Sequence, residues 1–156
     1  MPRSDSGALA NRWHTPMADA PEAAYGDTNI FVALFAAPDH VLHERALNLF
    51  RRVADGELAI IVTGVVVAEL CFVASRVLGW TRRQTADRLG ALLEADGLIV
   101  PDGAVLKAAL DVFGGSRRLA FPDAFLAASA VVVGPASVAT FDRALARHPG
   151  LRSVGA

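Results

Sequence analysis

Between Ala23 and the C-terminus, short apolar runs alternate with amphipathic stretches, and the alternation predicts strands interleaved with helices. "AAYGDT" reads as a short strand, and Ile30 to Phe35 starts a helix that Pro38 closes. In "HVLHERALNLFRRVADG", Asp39 is the expected cap. Val41, Leu42, Ala46, Leu49, Phe50 and Val53 share one face, and Gly56 follows as the stop. "LAIIV" is a continuous β-branched run of the kind that a parallel strand covered on both faces requires, with Thr63 placed to cap a helix from Val65 to Leu78. "TRRQTADRLGALLEADG" predicts a helix capped by Thr81 and stopped at Gly97. "LIV" is a further strand, and Pro101-Asp102 opens a helix from Ala104 to Phe113. A glycine-rich, basic loop, "GGSRRLAFPD", leads to a helix beginning at Asp123. "ASVAT" and "LRSV" read as strands around a short helix in "FDRALARH". Such alternation implies an α/β fold, a three-layer α/β/α sandwich around a central parallel sheet of four to five strands.

Composition narrows this picture. The 156 residues suffice for one domain with a hydrophobic core. We expect a loose tail over residues 1–23 and a globular domain over 24–156, because the opening stretch has neither helical nor strand period. It also lacks the apolar core of a secretory signal. The longest apolar region, "LAIIVTGVVVAELCFVA", is interrupted by Thr63-Gly64 and Glu69, so it reads as strand and helix rather than a membrane span. A net charge of -1, with Lys107 the only lysine, gives no global basic field for nucleic acid or anionic membrane, although a local patch stays open. Cys71 is the only cysteine, which excludes an internal disulfide and zinc sites built on paired cysteines and fits a cytoplasmic protein.

Most of the sixteen acids need no special reading: Asp39, Asp87, Glu94 and Asp102 suit caps or solvated helix faces. Four stand apart. Asp27 ends the first strand, at the carboxyl side of the sheet where open α/β folds bind ligands, although it would serve equally as an N-cap. Glu69 lies in "VVVAELCFVAS" among apolar residues, where an ionised carboxylate needs a cation, an arginine or a proton. Asp123 follows Pro122 at a helix start, and Asp142 follows "SVATF", with Thr140 placed to cap the helix that Asp142 enters. An α/β topology can bring all four to one sheet edge. A cluster of carboxylates requires neutralising cations, and an all-oxygen ligand set suits Mg²⁺ or Mn²⁺. That chemistry points to phosphodiester hydrolysis by metal-activated water.

In order and spacing, "DTNIFVALF", "TGVVVAEL", "FPDAFLAASA" and "VATFDRAL" resemble the four acidic motifs of PIN-domain ribonucleases, most closely the VapC toxins of bacterial toxin-antitoxin pairs. The resemblance spans residues 25 to about 148. It implies an acidic quartet of Asp27, Glu69, Asp123 and Asp142, with Asp27 and Asp123 as direct ligands of Mg²⁺ or Mn²⁺ and the other two completing the site. Asn29 and Thr140 match the small polar residues that support the acids. The resemblance further implies an endoribonuclease acting on tRNA, rRNA or mRNA, a VapB-like antitoxin that places a basic side chain in the acidic pocket, and a toxin homodimer. Arg117 and Arg118 are the first candidates for contact with RNA phosphates, with Arg76, Arg82 and Arg83 as alternatives. Trp80 and Phe72 read as core or dimer contacts rather than base-stacking platforms, and the four histidines carry no assigned chemistry.

Two other classes compete. A catalytically silent PIN-fold interaction or RNA-binding module would have no electrostatic reason to keep four mutually repelling acids. A receiver-like phosphoacceptor needs an acidic pair after the first strand and a late lysine, whereas Asp27 stands alone and no lysine follows Lys107.

Overall fold

A computed structural model describes residues 20–155. Its first half runs β1 (Glu22–Tyr25), α1 (Thr28–Phe35), α2 (His43–Ala54), β2 (Leu58–Ile61), α3 (Gly64–Arg76) and α4 (Arg82–Leu93). The second half runs β3 (Leu98–Ile99), α5 (Gly103–Gly115), α6 (Phe121–Val132), β4 (Ser137–Ala139), α7 (Arg143–Ala146) and β5 (Arg152–Val154). Most of the expected tail lies outside the described residues, and its last two positions, Glu22 and Ala23, already belong to β1.

The strands pair in parallel, β1 with β2 in the register Glu22 to Leu58, and β2 with β3 in the register Ile60 to Leu98. β4 and β5 form a separate parallel pair. The α/β class therefore holds, while the five strands come as three and two rather than one continuous sheet. Leu58, Ala59 and Ile60 are consecutive and all buried. A strand covered on one side only would bury every second residue, so β2 is covered on both faces.

The main core gathers Phe31 from α1, Val53 from α2, Val67 and Leu70 from α3, Leu89 from α4, and Leu106 and Leu110 from α5 around that strand. Burying each such side chain stabilises the fold by about 1.5–3 kcal/mol before entropic costs. A second, smaller cluster of Leu119, Ala127, Val138 and Leu145 fastens the β4–β5 pair to α6 and α7. α5 packs against both α4 and α6. Its approach to α4 depends on Gly114, where a Cβ would come within 2.7 Å of the Ala86 Cβ.

Several caps differ from expectation. Thr81 forms a full capping box with Gln84, as its sequence promises. Asp39 does not cap α2, because residues 38–42 make turns first; His40 Nδ1 accepts from Leu42 N–H at 3.2 Å, and the helix begins at His43. Thr63 occupies the N-cap position of α3 without a side-chain hydrogen bond. α6 starts two residues before Asp123, with Pro122 in its first turn, so Asp123 is a first-turn acid.

Candidate active site

Asp27 follows β1 and leads directly into α1. Its placement depends on Gly26, whose N–H donates to Ile61 O at 2.9 Å and whose missing side chain leaves room for the core. A Cβ there would sit 2.6 Å from Ile60 Cγ2 and 3.0 Å from Phe31. Asp27 itself is exposed. Its Oδ1 accepts from Thr28 N–H at 2.8 Å and its Oδ2 from Asn29 Nδ2 at 3.0 Å. Helix capping and carboxylate orientation are thus one arrangement.

Thr28 links the first two acids. It is 4% exposed, on the inward face of α1 with Phe31, and its hydroxyl donates to Glu69 Oε2 at 2.6 Å. Thr28 carries only a weak mark in the sequence. Its signal was a hydroxyl three positions before Phe31 on the apolar face of α1.

Glu69 corrects the expectation of a carboxylate enclosed by apolar groups. It is exposed, because α3 turns Val65, Glu69, Phe72 and Arg76 outward as one stripe while Val67, Leu70, Cys71 and Ala74 face the core. Among the described residues no arginine pairs with it, and the same holds for Asp27, Asp123 and Asp142.

Asp123 lies on the first turn of α6. The N-termini of α6 and α3 are neighbours: Thr63, Gly64, Val65, Phe121, Pro122 and Phe125 line a shared cavity of about 440 Å³. Asp142 is the N-cap of α7, its Oδ1 accepting from Leu145 N–H at 2.8 Å. Thr140 was expected to cap that helix; instead its hydroxyl accepts from Asp142 N–H at 3.0 Å and holds the turn that delivers the acid.

The structure therefore joins Asp27 and Glu69 through Thr28. It does not gather the quartet: among the described residues, no three His, Cys, Asp or Glu side chains form a ready-made ligand group. The donor chemistry still suits a hard cation. Mg²⁺ keeps several waters and is commonly held by one or two carboxylates together with substrate phosphates, which matches two exposed carboxylates joined through one threonine, one by its amide and the other by its hydroxyl.

The basic loop after α5 is ordered by specific bonds. Ser116 Oγ accepts from the N–H groups of Arg118 and Leu119, both at 3.1 Å. Arg82 donates to Leu119 O and, at 3.2 Å, to Phe113 O, with its guanidinium 3.9 Å above the Phe113 ring. Partial burial lowers its pKa, which the nearby Cys71 counters only in part. Arg82 is thus a strut for the loop that carries Arg117 and Arg118. Arg83 is engaged with Asp87 at 3.0 Å. Trp80 is a core residue, packed edge-on to Phe35 at 4.9 Å, whereas Phe72 is exposed. Of the histidines, His43 bonds Ala33 O through Nδ1 at 2.9 Å, and His14 lies outside the described residues.

Parallel strands feeding helices, with acids after β1 and β4 and on helices beside them, define an α/β protein that carries carboxylates at the starts of α1, α6 and α7 and on α3. The chain belongs to the PIN domain family, whose model matches residues 24–151. PIN domains are generally nucleases and typically use divalent metal ions, so a nuclease-type, hydrolytic function follows from membership. No curated protein matches the chain at a significant level. None of the helices among the described residues is long and apolar enough to cross a membrane.

Proposed function

We propose that the protein is a Mg²⁺- or Mn²⁺-dependent endoribonuclease and the toxin of a VapBC-like pair, held in check by a VapB-like antitoxin in the cytoplasm and acting as a homodimer. The observation that carries the nuclease reading is the Asp27–Thr28–Glu69 link, which holds two carboxylates from distant parts of the chain in one solvent-open place. In this reading Asp27 and Glu69 hold the ion, with Asp123 as a further ligand. Asp142 completes the acidic edge, and Asn29 and Thr140 orient Asp27 and Asp142. When bound, the ion would supply Lewis acidity and lower the pKa of an attacking water. The chain's own part is to fix carboxylate orientation through the Thr28 and Asn29 bonds and to bring RNA phosphates close through Arg117 and Arg118.

Excess negative charge in such a pocket suits insertion of a basic side chain, which is the physical case for an inhibitory antitoxin. Induced expression tests the toxin role. Growth arrest is expected, abolished by Asp27→Asn and by Asp123→Asn. Undiminished toxicity of both variants would remove those acids from the mechanism.

A further inference from the structure

Only part of the outward stripe of α3 is absorbed by the acidic site. At 1.5 Å rise per residue, Phe72 stands about 4.5 Å and Arg76 about 10 Å beyond Glu69 along the same face. Phe72 is 59% exposed even with the Arg76 guanidinium 4.3 Å from its ring centroid. The core lies on the opposite side of the helix, so this ring, with Arg76 over it, stays open to a partner.

The stripe borders a groove of about 360 Å³ lined by Phe72, Ser75, Arg82, Phe113, Phe121 and Pro122, a size that admits a planar ring system. The loop bearing Arg117 and Arg118 is tied to this groove by Arg82, and Ala120 at its end forms part of the lining. None of Arg76, Arg82, Arg117 and Arg118 is ion-paired among the described residues. Phe72 is therefore an exposed ring with one unpaired guanidinium, Arg76, stacked on it and a second, Arg82, lining the groove beside it. That combination matches unpaired nucleic acid, with a π-face for a base and positive charge for the backbone. An acidic or apolar protein surface would match the charge or the ring, but the stacked Arg76–Phe72 pair addresses both at once.

We propose that Phe72 and Arg76 form a base-stacking subsite for an unpaired nucleotide flanking the scissile bond. This rests on the nuclease reading above, and Phe72 acts here as a positioning residue. Binding of a short labelled single-stranded RNA to the full chain, followed by fluorescence anisotropy in EDTA, tests it without requiring cleavage. Phe72→Ala is expected to weaken binding about tenfold, within the range of one lost base stack, while Phe72→Trp retains it. Arg76→Ala is expected to weaken binding and to flatten its salt dependence by about one ion. The same RNA annealed to its complement should bind more weakly than the single strand.

Equal affinity of the parent and Phe72→Ala for the single strand would overturn the proposal, as would preference for the duplex. Loss of a dimer in Phe72→Ala at unchanged RNA affinity would assign the ring to a second copy and also overturn it. Metal-free binding and metal-dependent cleavage are read separately. Failure of this subsite leaves the nuclease reading standing, and failure of cleavage leaves the binding result interpretable.

Discussion

At the scale of single residues, two positions beside Asp27 govern the site without bearing charge. Gly26→Ala places a methyl group into Ile60 and Phe31, and such overpacking costs about 1–3 kcal/mol. Denaturant unfolding should show that loss, with a fall in nuclease activity because Asp27 moves with the backbone. Thr28→Val keeps the shape and removes the donor to Glu69. About 1 kcal/mol of stability is expected to go with it, whereas Thr28→Ser should retain both bond and activity. Cys71 gives a pH test: burial pushes its thiol up to about 12, from 9.0. The folded state thus holds the proton longer than the unfolded chain. Its contribution to stability is complete below about pH 9 and is lost as pH rises through about 12. The parent should lose stability across that window more steeply than Cys71→Ala, as followed by unfolding at each pH. The position of Asp27 was legible in the sequence, because an acid between a strand and the helix it caps is a local pattern. Thr28 was not, since its value comes from a residue forty-one positions away.

At the scale of elements, helix starts were legible where the cap signal was complete. Thr81 and Gln84 supply both halves of the capping box, so Thr81→Ala should cost about 1 kcal/mol, measurable as a lowered denaturation midpoint. Asp39 and Thr63 carried only half the signal, and neither side chain caps its helix. α3 shows a deeper limit. Its run of Val, Leu, Cys and Phe suggested burial all round, yet Val65 and Phe72 are exposed and Glu69 stands between them. Apolarity alone does not tell a residue that meets the core from one that faces solvent. The outward stripe becomes visible only when the helix phase is set by the residues that touch β2 and its neighbours.

At the scale of the whole molecule, alternation of strands and helices was enough to give the α/β class, because the buried run of β2 and the amphipathic helices are local patterns. Pairing between distant strands was not legible. The separation of β4 and β5 from the other three depends on packing against α6 and α7, to which no local pattern points. The same long-range placement decides the acids: two are joined through Thr28, and two stand on the starts of α6 and α7. We propose that these carboxylates serve metal-dependent hydrolysis of RNA. This is tested most directly by incubating the purified protein with RNA in Mg²⁺ or Mn²⁺, in EDTA, and with Asp27→Asn in its place, and mapping the RNA ends. New internal ends that require the metal and vanish with Asp27→Asn are the predicted result. Intact RNA with either metal, or cleavage that persists in EDTA or in Asp27→Asn, would contradict it.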